Sequence, residues 1–84
     1  MFAKVKYQVF IDTLSIECAG ELQAPVRIIL KDEYGVICRT METSSRPSAK
    51  LVQMKELNDL PYGVYTLEMY HGEEEMHTRL VKRV

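Results

Sequence analysis

The run Leu57-Asn58-Asp59-Leu60-Pro61-Tyr62-Gly63-Val64-Tyr65-Thr66-Leu67-Glu68-Met69-Tyr70 constrains the fold more than any other part of the chain. Pro61 presets φ for the second position of a turn, and Gly63 can take the positive φ that ends it. The alternation that follows places Tyr65, Leu67 and Met69 on one face of a strand. A strand with one apolar face must be covered, so the rest of the chain is read for strands that cover it.

Composition narrows the possibilities before any motif does. Eighty-four residues make one domain over residues 1–84, with a thin core. At 46% hydrophobic, 27% charged and a formal net charge of −1, the chain has neither the polarity of a disordered tail nor the basic excess of a nucleic-acid binder. Its longest apolar run, residues 26–30, is broken by Arg27, which excludes a membrane-spanning helix. Met1-Phe2-Ala3-Lys4 lacks the apolar core of a signal peptide, so a cytosolic protein, a mature product and an excised domain all fit the N-terminus. Cys18 and Cys38 are too few for a disulfide scaffold and lack the companions of a metal site, which leaves small buried hydrophobes as the main reading and a disulfide as the lesser one.

Seven strands are expected. Residues 4–10 alternate basic or polar with apolar, and the lysines suit a sheet edge. Residues 12–19 place Leu14, Ile16 and Cys18 inward, with a break at Ala19-Gly20-Glu21. Pro25 opens a third strand, residues 26–31, in which Val26, Ile28 and Leu30 share a face. Asp32-Glu33-Tyr34-Gly35 is a hairpin turn in which Gly35 supplies the left-handed residue, and residues 36–41 return as the fourth strand. Residues 42–48 read as a polar loop. The fifth strand, residues 50–57, slips its alternation once, as a bulge would, and Leu51, Met54 and Leu57 also fit a helix. The sixth strand spans residues 64–70. The seventh, residues 75–83, has Met76, Thr78 and Leu80 on one face and His77, Arg79 and Val81 on the other. Short strands at this spacing predict an all-β, seven-stranded, antiparallel two-sheet sandwich of immunoglobulin-like, Greek-key type, without the Trp of antibody domains.

No constellation in the chain announces a reaction. His71 and His77 flank Glu73-Glu74-Glu75, but neighbouring carboxylates on a strand point to opposite faces, so a solvated hairpin is the better reading than a metal site or a catalytic pair. Ser44, Ser45 and Ser48 lie in a polar loop without a nucleophile-elbow pattern. Tyr65 alternates with Leu67 and reads as core, whereas Tyr34 and Tyr62 sit in turns and are expected on the surface. The chain is therefore expected to be non-catalytic, with no cofactor, no metal and no small-molecule substrate.

Three segments carry a family likeness. Val26 to Ile37 resembles the "V-x-I-x-[hydrophobic]-x-D-x-x-G-x-[hydrophobic]" hairpin of the C-terminal sorting domains of the Bacteroidetes type IX (Por) secretion system. The segment from Leu57 to Leu67 is similar to their "L-x-x-L-P-x-G-[VI]-Y-x-[hydrophobic]" run, and Arg79-Leu80-Val81-Lys82 sits where those domains carry a basic, apolar, apolar, Lys ending. Arg83 and Val84 follow that ending, and the family's usual opening Asn-Pro is absent. The resemblance implies an immunoglobulin-like sandwich at the C-terminus of an exported protein. Such a domain directs its cargo through the outer membrane and is then removed or exchanged for a surface anchor. Carried onto this chain, it implies that Gly63, Tyr65, Arg79, Leu80, Val81 and Lys82 matter for recognition by the export machinery, and a passage from periplasm to cell surface. Exposed Lys82 and Arg83 are expected to contribute charge, and Asp32, Gly35, Pro61, Gly63 and Tyr65 are the structural turn residues. The alternative is a stand-alone secreted binding or adhesion module that pairs through an open sheet edge, as a homodimer or with another surface protein.

Overall fold

The computed structural model describes residues 2–18, 25–43 and 51–83. Two sheets build the molecule. Strands β1 (Ala3–Val5), β3 (Leu14–Cys18) and β6 (Leu51–Met54) form one, in the order β1-β3-β6. Strands β2 (Val9–Phe10), β8 (Glu74–Lys82), β7 (Gly63–His71), β4 (Arg27–Asp32) and β5 (Ile37–Glu42) form the other, in that order. The result is an all-β, two-sheet sandwich. Only the β4–β5 and β7–β8 connections stay within one sheet, and every other connection crosses to the opposite sheet.

Alternation decides which side of each strand is buried. Leu14 and Ile16 from one sheet meet Ile28, Leu30, Leu67, Met69 and Leu80 from the other, all at most 1% exposed. Leu57 and Val26, beside the strands, complete this fully buried set. Burying a side chain of this size contributes about 1.5–3 kcal/mol, so this shared interior is what holds two otherwise half-wetted sheets together.

Three expectations need correction. The run at residues 4–10 is not one strand, so the described residues hold eight strands where seven were expected. Val5 and Phe10 have opposite parity, yet the core takes both, and a single straight strand would send one of them outward. The chain solves this by changing sheets. Lys6 N donates to Ser15 O, continuing the β1–β3 ladder, and two residues later Gln8 O accepts from Val81 N to begin the next ladder. The second correction follows from the first: β2 runs parallel to β8, so the sandwich is antiparallel everywhere except at this pair. Third, the fifth strand has no bulge. It ends at Met54, and Glu56 adopts a left-handed φ of 62° that swings Leu57 into the core, so the slipped alternation marks the strand's end. The bulge lies instead between β4 and β5, where Leu30 opposes Arg39 but Lys31 opposes Ile37, leaving Cys38 as the extra residue. The predicted break at Ala19-Gly20-Glu21 and the loop serines Ser44, Ser45 and Ser48 lie outside the described residues.

Candidate functional site

The corner between β6 and β7 positions the rest. Leu57 N donates to Asp12 O, and Leu60 N donates to Leu57 O, which ties the corner to the start of β3 and closes it into a compact turn. Pro61 then points its carbonyl back toward β7, where the buried Tyr65 hydroxyl donates to it at 2.6 Å. The Tyr65 ring meets Phe10 edge-on at 5.9 Å between centroids. Burial pushes the Tyr65 hydroxyl above its ordinary pKa, so it stays a donor. Gly63 has φ +145°, a backbone conformation that a side chain would strain. Pro61, Gly63 and Tyr65 therefore act as one unit that aims β7, and β7 in turn aligns the whole of β8, from Gly63 opposite Lys82 to His71 opposite Glu74.

The second structural turn has its own lock. Asp32 Oδ1 accepts from both Tyr34 N and Val36 N at 2.9 Å, while Gly35 N donates to Asp32 O and Gly35 sits at φ +83°. Asp32 and Gly35 thus close the β4–β5 hairpin as the sequence implied. Tyr34 at its tip is 83% exposed.

The five terminal residues split between the two sides of the sheet. Arg79, Val81 and Arg83 are exposed. Leu80 is fully buried between β7 and the opposite sheet, and it belongs to the core. Lys82, expected as an exposed charge, is 3% exposed. It falls on the inward side opposite Gly63 and Phe10, and its Nζ donates to Arg83 O at 3.2 Å beneath the ring of Tyr62, 5.3 Å from the centroid. A buried ammonium with one carbonyl and one aromatic face gains attraction from both, at the cost of its water shell. Of these five residues, three thus face outward on a strand flanked by β2 and β7.

On the outer face of the five-stranded sheet a polar network sits where the alternation suggests only solvated side chains. Glu68 is 8% exposed and accepts from the Tyr70 hydroxyl at 2.7 Å, and Lys31 Nζ lies 3.0 Å from its other oxygen. The Tyr70 bond, then Lys31, hold the Glu68 carboxyl below the ordinary range, and the same bond raises Tyr70. Nothing in the period-2 pattern identifies this network, because it depends on β4 lying beside β7.

The remaining chemical candidates separate in space. His71 closes the β7–β8 hairpin, where Gly72 at φ +59° begins the two-residue turn. Its ring stacks at 5.4 Å on Phe2, and its buried Nε2 has no partner among the described residues. His77 is exposed opposite Glu68 on the outer face. Among the described residues no group of three or more His, Cys, Asp or Glu is placed to hold a metal ion. Cys18 and Cys38 are both free, one buried on β3 and one half-buried on the β5 bulge, and burial raises both thiols. Arg39 donates to both carboxylate oxygens of Asp59 and bridges the open side of the sandwich between β5 and the corner; that bond holds the Asp59 carboxyl low. No protein-family model and no curated protein matches the chain.

Proposed function

We propose that the chain is a non-catalytic, immunoglobulin-like module that works as a C-terminal sorting and surface-attachment domain. Export machinery would recognise it as a folded sandwich through the outward side of its last strand. The observation that supports this most is the corner. The segment resembling the sorting-domain motif carries a tyrosine whose hydroxyl reaches back to a backbone carbonyl four residues upstream, the arrangement known as a tyrosine corner in immunoglobulin-like sandwiches. The strand order β1-β3-β6 facing β2-β8-β7-β4-β5 suits the same topology. In this reading Arg79, Val81 and Arg83 make the contact, while Leu80 and Lys82 hold the strand in place. The domain would pass from the periplasm to the cell surface with its cargo, without cofactor, nucleic acid or small-molecule substrate.

The test fuses the chain to the C-terminus of an exported reporter in a bacterium with the type IX system, beside a version carrying Arg79→Glu and Arg83→Glu. Reporter at the surface with the intact sequence and retained with the charge-reversed one supports the reading. Retention of both in the periplasm overturns it.

A second reading, a secreted adhesion or binding module, is favoured by β5. This strand is at the edge of its sheet, and Ile37 at its start and Val36 just before it are more than half exposed, so it could accept an added strand from another protein or a second copy. It predicts that Thr40→Pro abolishes self-association in sedimentation velocity.

A further inference from the structure

The parallel pairing of β2 with β8 assembles a surface that neither strand carries alone. Val9 lies beside Val81, and Val81 lies beside Val64, so three valines form a row across three strands on the outward side of the five-stranded sheet. All three are 38–49% exposed. Tyr7 and Ile11, just before and after β2, and Tyr62, just before β7, are each more than half exposed. Three of the ten large exposed hydrophobic residues among those described thus stand side by side on one face of one sheet.

On β7 and β8 the exposed charge beside this row is basic, while Asp12 follows beyond the end of β2. On β8, Arg79 and Arg83 flank Val81, both exposed and neither ion-paired among the described residues. The described ion pairs lie elsewhere, at Lys4–Glu17, Lys31–Glu68 and Arg39–Asp59. Position 66, beside Arg79, is threonine, and acidic residues on β7 and β8 begin only further along, at Glu68 and Glu75. Valine and arginine with no acid beside them on β7 or β8 is the composition of an interface centre that meets a negatively charged counterpart.

We propose that the Val9–Val81–Val64 row with Arg79 and Arg83 is a docking surface for an acidic, partly apolar protein surface. A second copy placed row on row would set arginine against arginine, so charge selects a different partner. A lipid surface is disfavoured by shape. Valines on a sheet are short and lie on a broad face, whereas interfacial binding buries apolar groups about 5–10 Å into the headgroup boundary. Three strands spaced about 4.8 Å apart, over five residues rising about 3.3 Å each, give a face of roughly 250 Å². That is far below the ~800 Å² per partner of a stable complex, so the contact is a transient one. The surface stands whether or not the module is a sorting domain.

The experiment is an NMR titration of the full chain, following backbone amides. The probe is a synthetic 12-residue peptide alternating glutamate and leucine, and its control alternates lysine and leucine. Vesicles of three parts phosphatidylcholine to one part phosphatidylglycerol form a third arm. The expected result is saturable shifts confined to β2, the C-terminal half of β8 and the start of β7. They should weaken at least tenfold in Arg79→Glu/Arg83→Glu and in Val81→Asp, and fall as salt rises. Both variants alter outward side chains, and an unchanged thermal melt verifies that they remain folded; should Val81→Asp melt early, the arginine variant alone decides. Equal binding of the lysine peptide, shifts centred on β5, or no shift at millimolar peptide overturns the proposal. Vesicle binding stronger than peptide binding overturns it in favour of a membrane surface.

Discussion

Removing one oxygen atom from Tyr65 tests whether the corner organises the fold. Tyr65→Phe keeps the ring against Phe10 and the apolar volume of the core, and deletes only the 2.6 Å bond to the Pro61 carbonyl. A net intramolecular hydrogen bond is worth about 0.5–1.5 kcal/mol, and a buried acceptor left without a partner costs about 1–3 kcal/mol. Pro61 is exposed, so water can reach its carbonyl once the hydroxyl is gone, which places the expected loss at the lower figure, about 1–1.5 kcal/mol. For a domain of this size 1 kcal/mol moves the melting temperature by about 4–8 °C, so the variant should melt roughly 4–12 °C below the parent. Tyr62→Phe, which changes the exposed neighbour by the same atom, serves as the control and should leave the melt unchanged. Urea denaturation should report a lowered midpoint with an unaltered slope, since the surface exposed on unfolding is the same. A Tyr65→Phe variant that melts within 1 °C or so of the parent would refute the reasoning, because the corner would then be held by packing alone.

Other perturbations probe other links. Gly63→Ala meets nothing within 4 Å of the added carbon, so its whole cost is backbone strain at φ +145°, about 1–3 kcal/mol by denaturant titration; a neutral result would mean that the corner relaxes freely. Glu68→Gln should alter stability in a pH-dependent way. The lowered carboxyl contributes stability above its unfolded pKa of about 4.3 and loses it as pH falls through the folded value. The raised Tyr70 contributes below its unfolded pKa of about 10 and loses that as pH rises through the folded value. The difference between parent and Glu68→Gln should therefore be greatest from about pH 5 to 9 and shrink on either side, and a difference that is flat from pH 3 to 11 would count against the network. Lys82→Met should be neutral or stabilising, since it removes a desolvated charge and keeps the stem, whereas Tyr62→Ala should destabilise by about 0.5–2 kcal/mol by uncovering that charge. Chemical denaturation of both variants decides it: a loss above 2 kcal/mol in Lys82→Met would mean that the ammonium is a net structural tie.

Local chemistry is the part of this molecule that its sequence makes legible. Asp32 and Gly35 announce their turn, Pro61 and Gly63 announce theirs, and the parities of Leu14-Ile16-Cys18, Val26-Ile28-Leu30 and Tyr65-Leu67-Met69 all reappear as buried faces. Each of these depends on a few adjacent residues. What escapes is set by the choice of neighbour across a sheet. The chain's change of sheet at Tyr7 is hard to read from its alternation, since Lys4 to Val9 alternates without a fault and only Phe10 breaks it; the demand of two sheets for both Val5 and Phe10 reveals it. Lys82 looks like an outward basic ending because lysine is seldom buried, yet its parity with Leu80 already placed it inside. The Lys31–Glu68–Tyr70 network and the valine row exist only because β4 lies beside β7 and β2 beside β8, which are long-range facts.

The pairing of β2 with β8 also determines how the domain would carry load. Gln8 O and Phe10 O accept from Val81 N and Arg83 N, joining a strand near the beginning of the chain to the one at its end, side by side and pointing the same way. Tension that pulled the two ends apart would slide these strands along each other, straining their bonds together instead of opening them in turn. Before that, β1 would be pulled from β3, where the antiparallel pairing is only three residues long. The domain therefore has a short first strand that yields early and a sheared clasp that yields later, so that most of the sandwich keeps its shape under a pull that has already opened β1.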